Sequence, residues 1–335
     1  MILPTTFVTA LTVALLGMLC AGIWPSFFKS AKGWRFELFY FDFALGTVLA
    51  AIVLAVTFGS MGEELTVSDN LLITGKRQMG AAVAGGIALN LGNFLTLSGV
   101  AISGMSVALP ISIGLAFVIG TVSRQMLKTG EPLALSLAGA ALVLVALIAA
   151  AMAYFAGGGV RSAKQGTTYK GVFVSALGGL LVGLSYFPLA WSRVGEIGLG
   201  PYTAMALVAA AVLGSTIVLN LYFINLPIQG KPIPLSAYFK GSFKNHMLGA
   251  LGGIIWAVGL LALLVSSGAP PEVGLPTSAA FALSHAATLV GALVGFLFWK
   301  EYSGAPGRAR ALFSLAMLLT AVGIAIFAAS PLLAG

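Results

Sequence analysis

Long apolar runs alternate along this chain with short breaks that hold most of its charge. Ten runs, each about 20 residues or longer, predict ten helices able to cross hydrocarbon. They fall near residues 4–24, 39–59, 78–100, 104–124, 131–155, 169–190, 201–223, 244–266, 276–299 and 308–331. No stretch between them is long or polar enough for a soluble domain. The fold class expected is an all-α membrane protein with ten transmembrane helices.

The longest central break, residues 156–168 (AGGGVRSAKQGTT), divides the spans into five and five. It predicts a first repeat over 1–155, a central loop over 156–168 and a second repeat over 169–335. Faint echoes support duplication. The first span ends in Trp24-Pro25 and the sixth in Phe187-Pro188, while Gly85-Gly86-Ile87 in span three answers Gly252-Gly253-Ile254 in span eight. An odd number of spans per copy turns the second copy upside down, giving the 5+5 inverted-repeat bundle common among secondary transporters.

Composition strengthens this reading: 59% of residues are hydrophobic and 8% charged, with a mean hydropathy of +1.05. The net charge of +8 therefore speaks first to orientation in the bilayer. Twelve of the 17 Lys and Arg fall in odd-numbered loops (among them Lys29, Arg35, Arg161, Lys164 and Lys240), against five in even-numbered loops. Basic loops stay in the cytoplasm, so both termini are expected outside it, in an inner or plasma membrane. Acids such as Glu63, Asp69, Glu131 and Glu196 gather on the other side. No basic cluster suits nucleic acid. The first span has no basic residue ahead of it and no convincing cleavage site, so it is expected to be retained. Lone Cys20 reads as a small buried hydrophobe.

Polar groups held in hydrocarbon are costly and mark pathways. Asn90 and Asn93 share a face of span three; they suit a neutral ligand with mixed donors and acceptors, or an interhelical clamp. Pro110 removes a backbone donor inside span four, next to Ser112, as in helices broken around a cavity; Pro188 is read as closing span six. His285 lies near mid-span and titrates near neutrality, which proton coupling needs. Asp42, at the mouth of span two beside an aromatic belt, can take a proton or pair with Arg35. Trp24 and Trp256 read as interfacial anchors that could also stack on a planar solute. Two His and one Cys cannot build a transition-metal site without many carboxylates, and no phosphate-cradling loop is present, so neither an enzyme nor any cofactor is expected.

Residues 40–62 (YFDFALGTVLAAIVLAVTFGSMG) and 84–93 (AGGIALNLGN) resemble the ureide permease family of the drug/metabolite transporter superfamily. Residues 298–313 (FWKEYSGAPGRARALF) look like the family's junction of spans nine and ten, and PISIGLAFVIGT at 110–121 is similar to glucose and ribose uptake porters. The resemblance implies a ten-helix, often proton-coupled carrier for ureides or nucleobases and adds weight to Asp42, Asn90 and Asn93. The central loop is shorter than in the plant members, and His285 stands where a Gln-like residue is expected.

These readings converge on a secondary carrier for a small neutral polar solute, of ureide or nucleobase type, driven by protons. Asn90, Asn93, Ser112 and His285, with Trp24 and Trp256, are expected to bind the solute, and His285 and Asp42 to carry the proton. Its partners are then the solute, protons and the lipid bilayer, with a homodimer left open. Sugar uptake, export of metabolites or drugs, and a non-transporting sensor or assembly subunit are the alternatives.

Overall fold

The computed structural model describes all residues except 63, 159–167, 196, 271, 334 and 335. The basic residues Arg161 and Lys164, the acids Glu63 and Glu196 and most of the central loop thus lie outside the described residues. Among the described residues, ten helices are long and apolar enough to cross a membrane, and none is a strand. They are α1 (Phe7–Ile23), α2 (Phe36–Val56), α3 (Lys76–Ser103), α4 (Met105–Met126), α5 (Leu133–Ala156), α6 (Thr168–Trp191), α7 (Pro201–Asn225), α8 (Phe243–Ser267), α9 (Thr277–Leu293) and α10 (Gly307–Leu333). A π-helical turn, Val294–Phe298, extends α9. Every expected span is a helix, with ends displaced by three residues or fewer except at the π turn.

Two expectations about proline are corrected. Helix α4 runs unbroken through Pro110, and α6 continues past Pro188 to Trp191. Each ring removes one donor, but the turns on either side keep their own hydrogen bonds, and a lipid-spanning backbone gains nothing by unwinding.

The helices form two compact units. The first unit comprises Met1–Leu91 and Ser185–Leu275. Here α8 packs on α1 and α2, and α2 also packs on α7. Glycine sets the crossing of α2 with α8: a Cβ at Gly46 would fall 2.0 Å from the Ala250 carbonyl oxygen, and one at Gly253 would fall 1.9 Å from that of Phe43. Small residues allow such approach where lipid supplies no hydrophobic drive between helices. The exposed faces carry Leu45, Leu49, Ile52 and Val218, side chains that suit lipid. Arg193 binds Ser267 and the Leu264 carbonyl at the end of α8, both at 3.0 Å, placing a cation at that helix's negative pole. Burial pulls its guanidinium down to about 10, partly opposed by Tyr186, so it stays charged at neutral pH.

The second unit comprises Gly92–Leu184 and Pro276–Gly335. Here α5 packs along α10 through a pair of glycines. A Cβ at Gly139 would fall 2.6 Å from the Gly323 carbonyl oxygen, and one at Gly323 would fall 2.7 Å from that of Gly139. Helix α4 lies against α5 and α9. Its N-terminus has Gly104 as cap (φ 87°), which offers no side chain, and the Glu301 carboxylate serves instead, accepting from the Met105 and Ser106 N–H groups at 2.8 and 2.7 Å. Gly104 is required both for its positive φ and because a Cβ there would fall 2.8 Å from that carboxylate. Glu301→Ala should lower stability by about 1–2 kcal/mol, the range for losing a helix cap, with Glu301→Gln recovering part of it. Denaturant titration in detergent checks this; equal stability of Glu301→Ala and wild type would refute the capping role.

Candidate functional site

In the first unit, an aromatic layer is built from Trp24, at the end of α1, and from Tyr40, Phe43 and Trp256 on α2 and α8. Phe43 is its centre: Tyr40 stacks on it at 4.7 Å, and Trp24 and Trp256 lie at 4.9 and 5.5 Å. Both tryptophans are buried. The expectation that they anchor at the membrane interface is corrected, because both rings are buried within the protein, close to Phe43.

Tyr40 joins this layer to Asn90. Its hydroxyl donates to Asn90 Oδ1 at 3.0 Å, and Asn90 Nδ2 donates to Ser215 Oγ at 2.8 Å and to Thr216 Oγ1 at 2.9 Å. Asn90 is fully buried, with its carbonyl and amino groups both engaged across α2, α3 and α7. That is the geometry of a clamp, worth roughly 0.6 kcal/mol per bond in a membrane. It also holds the phenol and two hydroxyls in fixed orientations.

Asp42 follows Tyr40 on α2 and is 5% exposed. It does not pair with Arg35, whose guanidinium is taken by Glu37 at 2.6 Å in a short-range contact that occupies both charges near the start of α2. The partners of Asp42 come from some 200 residues away: Tyr238 donates its hydroxyl to Oδ1 at 2.6 Å, and His246 Nδ1 lies 2.9 Å from Oδ2 and 3.1 Å from Oδ1. When that carboxylate is ionised it only accepts, and Nδ1 then carries the hydrogen. Tyr238 stands outside the spans; burial first, then its hydrogen bond to Asp42 and that residue's charge, hold its phenol well above the ordinary range, so it remains a donor. Trp34 and Tyr238 flank the imidazole at 5.4 and 4.8 Å. Gly241 leaves room for it, since a Cβ there would fall 2.6 Å from His246 Nε2.

The remaining expected residues lie in the second unit. Asn93 is 8% exposed and its amide nitrogen has no partner among the described residues. Ser112 shares a 2.5 Å hydrogen bond with Thr96. His285 Nδ1 sits 2.9 Å from the Phe281 carbonyl oxygen and 2.9 Å from Ser284 Oγ, with its ring against Phe281 and Phe117 at 4.3 and 5.5 Å. The Phe281 ring also receives the Arg124 guanidinium, 5.2 Å from its centre, and Arg124 is ion-paired with buried Glu131. Trp24, Trp256 and Asn90 are therefore brought together with Tyr40 and Asp42 in one unit, and Asn93, Ser112 and His285 belong to the other.

Sequence reasoning missed His246, Tyr238, Tyr40, Ser215 and Thr216. His246 carried a usable signal: it is one of two histidines and stands within the first turn of an expected span. Ser215 and Thr216 carried little, because hydroxyl residues commonly return their hydrogen to their own helix, as Ser215 does to Ala211 at 2.6 Å.

Among the described residues, no group of three or more His, Cys, Asp or Glu side chains is placed to hold a metal ion. Ten apolar spans enclosing a few hydrogen-bonded polar clusters define an integral, multi-pass membrane protein. The family model for ureide permeases matches residues 39–165. Ureide permease 5 of Arabidopsis thaliana is 31% identical over 130 residues, which cover 36% of this chain and 31% of that protein. Ureide permease 2 of the same plant is 32% identical over 124 residues, 35% of this chain and 31% of its own. These findings bear out the resemblance to the ureide permease family read from residues 40–62 and 84–93. The match spans about a third of the length of these curated relatives, and the family model takes in Asp42, Asn90, Asn93 and Ser112 but not Trp24, Trp256, His246 or His285. A solved crystal structure shares the fold over 95% of both chains, with a TM-score of 0.52 at 16% identity.

Proposed function

We propose that this protein is a proton-coupled secondary carrier for a small, neutral, polar metabolite of ureide or nucleobase type. The observation that carries the reading is the buried Asp42 carboxylate, held by His246 and Tyr238 on one side of α2, two residues from the Tyr40 hydroxyl that fixes Asn90. The names of its relatives support the ureide part of this substrate class, and nucleobases are retained from the family resemblance read in the sequence. Tyr40, Asn90, Trp24 and Trp256 form the solute-binding side of the first unit; Asn93, Ser112 and His285 are the solute-binding candidates of the second.

The proton acts through the hydrogen bonds at Asp42. As a carboxylate it accepts from Tyr238 and His246; protonated, it still accepts from Tyr238 but carries a hydrogen of its own, so His246 Nδ1 either accepts that hydrogen as the other tautomer or turns away. Either response changes the bond between Asp42 on α2 and His246 on α8, so proton occupancy and solute occupancy bias the same helix. Asp42 is preferred over His285 as the proton site because it has two side-chain partners, Tyr238 and His246, drawn from distant parts of the chain. An inverted 5+5 repeat over 1–155 and 169–335, with both termini outside the cytoplasm, supplies alternating access. Both compact units draw on both halves of the chain, as an intertwined pair of repeats would.

Uptake into proteoliposomes tests this directly. With an inward proton gradient, allantoin or uracil should accumulate at least tenfold over the gradient-free rate, and glucose and rhamnose should not compete. Accumulation indifferent to the gradient would remove the proton role; displacement by the sugars and not by uracil would replace the substrate class.

A further inference from the structure

We infer that Asn220, on α7, is a specificity-determining residue of the solute site, reading an adjacent N–H and C=O pair on a planar ureide or nucleobase edge. This rests on the carrier reading above and names a residue it does not use. Asn220 is 0% exposed, and neither its Oδ1 nor its Nδ2 has a hydrogen-bond partner among the described residues. Asn90 is the telling contrast: an amide of the same kind, equally buried in the same unit, with both ends engaged. Among the described residues Asn93 lacks a partner at its amide nitrogen, whereas Asn220 lacks one at both its oxygen and its nitrogen, leaving a whole carboxamide edge open.

Its location links it to the cluster already described. Four residues apart on one helix lie on one face, so Asn220 sits a single turn along α7 from Thr216, whose hydroxyl accepts from Asn90 at 2.9 Å. A buried amide without partners is costly, and such groups are retained where something else completes them. A carboxamide offers one acceptor and two donors in a plane. Its best complement is a planar group with N–H and C=O side by side, which allantoin and uracil present and a hexose does not.

The test uses purified full-length protein, with allantoin and uracil as probes and thermal unfolding as the readout. Ligand-free Asn220→Leu should be at least as stable as wild type, since an unpaired polar group gives way to an apolar one of similar volume, while its apparent affinity for both probes should fall at least tenfold. Undiminished affinity in Asn220→Leu, or a lower ligand-free unfolding temperature, overturns the inference and leaves the carrier reading standing. A wild type that binds neither probe overturns both. Wild type alone provides a second arm that does not depend on the variant folding: 1,3-dimethyluracil, with both ring N–H groups blocked, should bind at least tenfold more weakly than uracil. Equal binding overturns the amide pairing.

Discussion

Asp42→Asn should abolish accumulation of solute under a proton gradient while leaving exchange of solute for solute intact. Asparagine keeps the shape of the protonated carboxyl and can still accept from Tyr238, but it neither gains nor releases a proton. The loaded carrier can then cycle, and the step that ties the cycle to the gradient is lost. The expected drop in gradient-driven accumulation is tenfold or more, measured in proteoliposomes with radiolabelled solute, with counterflow retained within about twofold. Accumulation by Asp42→Asn at the wild-type level would eliminate Asp42 as the coupling group. Loss of counterflow together with accumulation would assign it instead to solute binding or to the integrity of α2.

Gly253→Ala should be among the most damaging single-methyl changes in the first unit. The added carbon would lie 1.9 Å from the Phe43 carbonyl oxygen and 2.9 Å from the Thr47 nitrogen, both backbone atoms that cannot turn aside. Helices α2 and α8 would have to separate along the line that also seats Phe43 under the two tryptophans. Overpacking of this kind costs about 3 kcal/mol, the upper part of its usual range. Gly214→Ala on α7 is the matched control: a Cβ there meets nothing within 4 Å, so alanine's better helix propensity should raise stability by roughly 0.5–1 kcal/mol. Unfolding of both variants in detergent checks the pair. If Gly253→Ala is no less stable than Gly214→Ala, the close crossing of α2 and α8 is not what holds this unit together.

The ten spans were legible because hydrocarbon imposes a length and an apolarity that few other constraints produce, and the helix ends follow the first charged or capping residues. That Asp42 and Asn90 are polar groups held inside apolar runs was legible too, since such groups stand out against their neighbours. The partners of those groups were not. Nothing near Asp42 in the chain points to His246 or Tyr238, and Arg35, the closer cation, is consumed by Glu37 two residues away. The same holds for Trp24 and Trp256, whose rings read as interfacial until the fold buries them beside Phe43. Asn220 went unnoticed in an otherwise apolar run of α7, and only the absence of partners around it gives it meaning.

Local composition thus decides which segments enter the membrane, because each residue's transfer into lipid depends on its own side chain and on a backbone that bonds within its own helix. Which carboxylate meets which imidazole, which amide is sated and which is left open, depends on helices that lie two hundred residues apart in the chain. Those pairings follow from where glycine allows two backbones to touch, a property of two surfaces together that neither helix displays alone.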